Sequence, residues 1–324
     1  MKTMDRRQLL ALTAAVFAFA SAGVFAQGTY PTQTLKIIVP FTPGTGMDTI
    51  ARVVAPRLSE RLGQSVVVQN QPGASGNIGA EAVAKSAPDG YTVLMGANTM
   101  LMASQMYKGV AFDPVKDFAP VSMAAYGSLM LVANPKTGIK SLPELITQAK
   151  ARPGSISFGS PGVGTPHHMA MELFKLESNT FMLHVPYTGA GPAVLSLLSG
   201  QIEALSTGPA SVKQHIASGR LRALAHWGDG RLASMPTVPS FKELGVPIQY
   251  SQWSGMFVPA DTPAAVVDSL RQAARFAAQD ARAVAALTSA GTSFMFQDAP
   301  EFERFVQADA KDMSALVTRI GKVD

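Results

Sequence analysis

Asp48, His167, His168 and His184 are the titratable side chains beside glycine-rich turns, where a general base or metal ligand would be sought. Their spacing argues against both uses. Adjacent His167 and His168 would point to different faces of a helix. Glu172 adds only one neighbour at i+4, so the H-E-x-x-H arrangement of a zinc site is missing. Capping or local hydrogen bonding accounts better for the pair. His184, ahead of Val185-Pro186-Tyr187, reads as structural rather than as a base. Asp48 opens a helix, where a carboxylate caps the first turn and pairs with the dipole. The serine elbow G-x-S-x-G is absent, because "GSPGVG" and "GASGN" both depart from it. "GTGMDT" lacks the third glycine of a dinucleotide fingerprint, and the P-loop lysine is missing.

What remains is main-chain chemistry. "KIIVPFTPGTGMDTIARVVAPRLSERLG" (36–63) runs from an apolar strand through a Pro/Gly turn into a helix, and "SISFGSPGVGTPHHMAMELFKLE" (155–177) repeats that grammar. Ligands of open parallel sheets sit outside the carboxyl ends of the strands, where 41–48 and 160–168 fall. Gly44 and Gly46 allow close backbone approach. The first helical turn offers unsatisfied N–H groups and the positive end of the dipole. A carboxylate there gains up to about 2 kcal/mol from the dipole and roughly 1.5–3 kcal/mol per charge-assisted hydrogen bond. Two such tips facing each other would hold a dicarboxylate without an arginine. Each tip taken alone is also what an ordinary connector looks like.

The elements that must position these tips alternate along the chain. A strand at Leu35–Phe41 leads to a helix from about 48 to 62, with apolar residues at 50, 53, 54 and 58. A strand at 65–69, the turn "NQPGASGNIG", a helix "AEAVAKSA" and a strand at 91–95 follow. The pattern restarts with the strand "SLMLVANP" and with Ser141 and Glu144 at capping-box spacing. "FMLHVPY", "QIEALSTG" and "LRALAHW" supply strands, with helices expected near 191–198 and 209–218. The strand "YSQWSGMFVPA" precedes two long helices, at about 263–290 and 300–320. Continuous apolar strands alternating with amphipathic helices predict an α/β fold with a parallel sheet covered on both faces. Crossings near 126–132 and 250–257 predict two lobes joined by two strands. Trp253, at the second crossing, either stacks on a ligand or fills the hinge. Met47, Met100 and Met256 either line an adaptable pocket or fill the core.

Composition sets the outer bounds. A chain of 324 residues with 47% apolar side chains fills two cores. Only 15% charged residues argues against disorder and against a nucleic-acid binder with a dense basic face. "MKTMDRRQLL" followed by "ALTAAVFAFASAGVF" reads as an export leader, residues 1–26, cleaved after Ala26. Arg6-Arg7 leaves both twin-arginine and Sec export open. Loss of Lys2, Arg6, Arg7 and Asp5 leaves 24 basic against 21 acidic side chains. There is no cysteine, hence no disulfide framework and no thiolate metal site.

"YPTQTLKIIVPFTPGTGMDTIARVVAPRLSERLGQSVVVQNQPGASGNIGAEAVAKSAPDGYTVLMG", "DPVKDFAPVS", "HVPYTGAGPAV", "GRLRALA" and "WSGMFVPADTP" together resemble the periplasmic receptors of tripartite tricarboxylate transporters, the Bug family. The similarity runs through essentially the whole chain beyond the leader. It implies a type II periplasmic-binding-protein fold: two α/β lobes, 27–127 plus 253–324 and 128–252, with a ligand cleft between them. It also implies small carboxylated ligands held by main-chain N–H groups and waters. Carried over by position, Phe41, Thr42, Gly44, Thr45, Gly46 and Asp48 form one tip, flanked by Asn98 and Thr99. Ser160, Gly162, Gly164, Thr165 and His168 form the other, followed by Tyr187, Gly189 and Ala190 and by Thr207 and Gly208. Thr42, Thr45 and Ser254 depart from the proline, glycine and phenylalanine usual in the family. Thr45 adds a Cβ that narrows the site. With Phe41, Met47 and Trp253 the departures favour a dicarboxylate with a flat or apolar body, such as an aromatic one, and a plain aliphatic C4–C6 acid stays open.

The expectation is therefore a monomeric, non-enzymatic receptor in the periplasm that delivers a carboxylate to membrane permease subunits. No metal, cofactor or nucleic acid is expected. A sensory receptor that hands its closed state to a signalling partner would use the same closure. A hydrolase built on Asp48, His168 or His184 would need a nucleophile with an assembled base, which the sequence does not supply.

Overall fold

In a computed structural model the described residues are 30–320 apart from 108, 233, 290 and 291, so the leader assigned to 1–26 lies outside them. The first sheet starts on β1 (Leu35–Val39), which buries every residue but Lys36. It lies parallel between β2 (Val66–Asn70) and β3 (Thr92–Ala97). β10 (Ser251–Pro259) then joins antiparallel to β3, β4 (Phe118–Ser128) antiparallel to β10, and β11 (Ser293–Asp298) antiparallel to β4. The order is β11-β4-β10-β3-β1-β2. The second sheet, β7-β6-β8-β5-β9, is built from β5 (Met130–Ala133), β6 (Ser157–Ser160), β7 (Leu183–Pro186), β8 (Ala204–Thr207) and β9 (Arg222–His226). There β6 runs parallel to β7 and β8, and β5 antiparallel to β8 and β9.

Both sheets are therefore mixed, not parallel as the strand–helix alternation predicts. The reason lies in the crossings. β4 leaves the first sheet and continues through Leu129 into β5, whereas β10 brings the chain back, so the two lie side by side with opposite sense. Helices cover the strands: α1 (Gly46–Leu62), α2 (Asn77–Ala84), α3 (Thr99–Met106), α4 (Leu142–Ala151), α5 (Pro166–Ser178), α6 (Ala190–Ser199), α7 (Pro209–Ala217), α8 (Ala264–Ala278), α9 (Ala281–Ser289) and α10 (Ala299–Ile320). The single helix expected over 263–290 is broken, because the Asp280 carboxylate accepts the Ala283 N–H at 2.8 Å and starts a new helix. β11 and α3 carry no expectation from the sequence.

The hinge is packed rather than loose. One apolar cluster includes Leu94 and Phe257 of the first sheet, Leu129, Tyr250 and Trp253 at the crossings, and Leu131 and Phe158 of the second sheet. Trp253 is 1% exposed and meets Phe302 edge-on at 5.4 Å between centroids. Its indole N–H donates to the Asp309 carboxylate at 2.6 Å. Burial pushes the Asp309 carboxyl above its ordinary value, although this hydrogen bond opposes the shift.

Gly255, two residues on, is where α10 comes closest to β10. A Cβ there would overlap the Phe302 ring and stand 3.0 Å from the Ser122 carbonyl oxygen. Gly255→Ala is expected to destabilise the fold by about 1–3 kcal/mol, the cost of overpacking a filled core. A urea unfolding midpoint unchanged from wild type would show that α10 can step aside.

Candidate functional site

The tips after β1 and β6 are built alike. In Gly44-Thr45-Gly46-Met47-Asp48, Thr45 is the N-cap of α1: its Oγ1 accepts the Asp48 N–H at 3.4 Å and donates to the Thr42 carbonyl at 3.1 Å. In Gly164-Thr165-Pro166-His167-His168, Thr165 caps α5: its Oγ1 accepts the His168 N–H at 3.4 Å and donates to the Gly162 carbonyl at 2.7 Å. Each glycine ahead of the cap has positive φ, +82° at Gly44 and +70° at Gly164. Each gives its N–H to the side chain four residues on, Asp48 Oδ2 at 2.9 Å and His168 Nδ1 at 3.1 Å. Asp48 and His168 thus do the same job at equivalent places: they reach back and fix the bend.

The surroundings of these two residues fit that job. Burial alone would raise the Asp48 pKa, but hydrogen bonds from Arg52, the Gly44 amide and Asn70 together hold it below the ordinary carboxylate value. His168 is buried, its ring stacked on His184 at 3.9 Å. The His184 Nε2 lies 2.7 Å from Ser160 Oγ. Burial, helped by His168, pushes the His184 pKa down to about 3. These histidines form a packed layer beneath the second tip.

A cavity of about 100 Å³ opens between the tips. It takes up the starts of several helices: Gly46 and Met47 of α1, Thr99 of α3, Pro166 and His167 of α5, Ala190 of α6, and Pro209, Ala210 and Ser211 of α7. Gly189 and Gly208, which precede α6 and α7, supply no capping side chain. No Asp, Glu, Lys or Arg lines the cavity among the described residues. Phe41, Met47 and Ile50 give it an apolar wall, and Gly127, Ser128, Gln252 and Ser254 close it at the crossing strands. Such a chamber offers many backbone donors and no formal charge, which suits a small anion with an apolar body.

Of the residues expected from sequence, Phe41, Thr45, Gly46, Thr99, Thr165, Ala190 and Gly208 line this cavity. Phe41, Thr42, Gly162 and Tyr187 line a second, more open one beside it. Gly189 adjoins that opening, since a Cβ there would stand 2.8 Å from Thr42 Oγ1. Asp48, Gly164 and His168 are buried behind the surface and shape it, whereas Gly44 is exposed at the bend outside both linings. Ser160, Asn98 and Thr207 are buried outside the lining, with Asn98 Oδ1 and Thr207 Oγ1 lacking partners. Trp253 is sunk in the hinge against α10, its indole N–H on Asp309, and does not line this cavity.

Other residues at the site carry no sequence expectation. The α7 start had a readable signal, for "TGPAS" repeats the Gly-Pro grammar of "GTPHH". The crossing-strand residues had none. Nor did a clasp onto the second tip, in which Ser75 Oγ from the turn before α2 and Tyr107 OH from the end of α3 both donate to the Val163 carbonyl, at 2.7 and 2.5 Å. Ser75 holds this place with φ of +52°, in the left-handed region that a serine rarely adopts. Two serine–histidine contacts occur among the described residues: Ser160 Oγ with His184 Nε2 at 2.7 Å, where the serine is buried outside the cavity lining, and Ser128 Oγ with His226 Nδ1 at 3.4 Å, where that nitrogen already accepts the Gly228 N–H at 3.1 Å.

Among known proteins, a family model described as "Tripartite tricarboxylate transporter family receptor" matches residues 50–322. Protein BugT of Bordetella pertussis is 36% identical over 322 residues, which is 98% of this chain and 99% of that protein. A solved R. palustris protein with adipate superposes with a TM-score of 0.86 at 30% identity, over 90% of this chain and 98% of the other. MatC from Rhodopseudomonas palustris with bound malate gives 0.83 at 27% identity, over 89% and 100%.

The first tip's brace predicts a pH effect. Asp48's contribution to stability is present above its unfolded pKa of about 3.8 and is lost as pH falls through the lower folded value. Asp48→Asn is expected to lower stability at neutral pH by about 1–2 kcal/mol and to flatten the loss below pH 3.8. Melting temperatures across that range check it, and parallel acid limbs for the two proteins would refute it.

Proposed function

Because the chain belongs to the receptor family of tripartite tricarboxylate transporters, we propose that it captures a small carboxylate in the cavity between its tips and delivers it to membrane permease subunits. The preferred guest is a dicarboxylate with a flat, aromatic body, because apolar Phe41, Met47 and Ile50 flank the backbone donors. The observation that carries the reading is the set of helix starts converging on a chamber with no charged side chain. It is the same chemistry as an anion at a single helix N-terminus, multiplied. With the leader removed, the receptor works in the periplasm, and no described helix is long and apolar enough to cross a membrane.

Closure follows from differential contact. Taking the lobes as 27–127 with 253–324 and 128–252, only the shut form lets both tips reach one anion. The Ser75–Tyr107–Val163 clasp adds hydrogen bonds between those two lobes. None of this requires chemical change in the guest, and the reading is of a binding protein.

Calorimetry and thermal shift against adipate, malate and terephthalate test the proposal. At least one acid should bind and raise the melting temperature by several degrees, as saturation at about 100-fold over Kd adds about 2.7 kcal/mol. If none does so at millimolar concentration, the reading falls. Tyr107→Phe removes one hydrogen bond of the clasp and touches no guest atom in this scheme. It should weaken binding about 2- to 10-fold, the equivalent of about 0.5–1.5 kcal/mol, and mainly by faster release. An unchanged release rate would show that the clasp does not hold the closed form.

A further inference from the structure

The crossing strands give the chamber a floor of a different kind from its tips. Gln252 and Ser254 stand two apart on β10, so they share the face opposite Trp253, and both line the chamber. Their ladder partners are small: Ala97 and Ala125 flank Ser254, and Gly127 lies beside Gln252. No bulky side chain from those positions covers them. Ser254 is 3% exposed. Its Oγ makes no hydrogen bond among the described residues, yet it differs from Ser122 Oγ, Ser206 Oγ and Thr207 Oγ1, which lack a partner and are sealed from solvent. The Ser254 hydroxyl keeps a small surface open at the chamber. The Gln252 amide is half-buried and likewise makes no hydrogen bond among the described residues.

The chemistry of this floor is neutral and two-sided. A hydroxyl and a primary amide each donate and accept, whereas a carboxylate only accepts. The strands bring little field of their own, because strand dipoles alternate and nearly cancel. The positive ends that favour an anion belong instead to α1, α3, α5, α6 and α7. No ionisable side chain lies on the β4 and β10 part of the lining. A guest's carboxylates are therefore best placed at the helix starts. The floor is best matched by an uncharged oxygen that both gives and takes a hydrogen bond. A buried hydroxyl left unpaired is costly, and such an oxygen removes the cost.

Resting on the carboxylate reading above, we propose that Ser254, with Gln252 beside it on the strand, is a specificity-determining residue that pairs with a hydroxyl group on the guest's carbon frame. The guest is then a hydroxylated carboxylate rather than a plain one. Main-chain donors at the helix starts hold its charge, and the floor reads its hydroxyl. A site built to hydrogen-bond a hydroxyl rejects the analogue that lacks one, because the site's own buried polar groups are then left unpaired.

Calorimetry of the mature chain against matched acids tests this: succinate with malate, adipate with hydroxyadipate, and terephthalate with hydroxyterephthalate. In a pair that binds, wild type should favour the hydroxylated member by about 3- to 10-fold, the worth of one neutral hydrogen bond. Ser254→Ala should lose that preference while holding the plain acid within about twofold of wild type, since only the hydrogen bond to the hydroxyl is removed. The melting temperature of the empty variant checks its fold. Ser254→Cys, similar in size and only a weak donor, supplies the comparison if the alanine variant does not fold. Equal affinities within every pair for wild type, a preference kept by the variant, or an equal loss for both members overturns this inference alone. Failure of all these acids to bind wild type overturns the carboxylate reading with it.

Discussion

A helix that starts inside a protein carries a problem with it: its first amide hydrogens have nothing in the helix to bond to, and a partner must come from outside. In this molecule several helices start around one small chamber, and the rest of the architecture can be understood as what makes that arrangement tolerable. Thr45 and Thr165 satisfy one first-turn amide each from the side. Pro166 and Pro209 remove a donor where α5 and α7 begin. Gly189 and Gly208 satisfy none by side chain. These helix starts line a space that a carboxylate would complete. A cluster of arginines would do the same task, but at the cost of charge repulsion and of long side chains to be ordered on each binding event.

The two tips show how little sequence identity such a device requires. Asp48 and His168 share no chemistry beyond an acceptor atom at the right reach, yet each takes the N–H of the glycine four residues earlier. What is common is the positive-φ glycine, the threonine cap and an acceptor on the third helical residue. A carboxylate in the exposed first tip is stabilised by Arg52 and Asn70. In the second tip, walled by Phe158 and His184, the His168 Nδ1 is the acceptor. The environment chose the residue type, and the geometry chose the position.

That distinction explains what could be read from the sequence. Local rules were legible: Gly44, Thr45, Gly164 and Thr165 announce helix starts after strands, and the Ser141–Glu144 spacing announces a cap found at 3.4 Å. Sheet polarity was not legible, because apolar runs such as that of β10 look the same whether a neighbour runs parallel or antiparallel. Asp280 broke a helix that periodicity would have carried through, since an N-cap competes with propensity only once the next turn has something to pack on. Trp253 was undecidable from sequence because stacking on a guest and packing in a hinge demand the same residue. In the folded chain its indole N–H goes to Asp309, 56 positions away. Ser75, Tyr107 and Val163 come from separate loops, and only the folded chain brings them together.

His167 is the case where the two levels part company. Neighbouring histidines invite a single explanation, yet the chain uses them for opposite ends. His168 faces inward and is consumed by its own loop, its Nδ1 taken by Gly164. His167, one hundred degrees round the helix, lies in the cavity lining, and its Nδ1 is buried without a partner. Spacing alone could not separate these two fates, because adjacent helix positions face different ways and the packed neighbours decide what each ring meets.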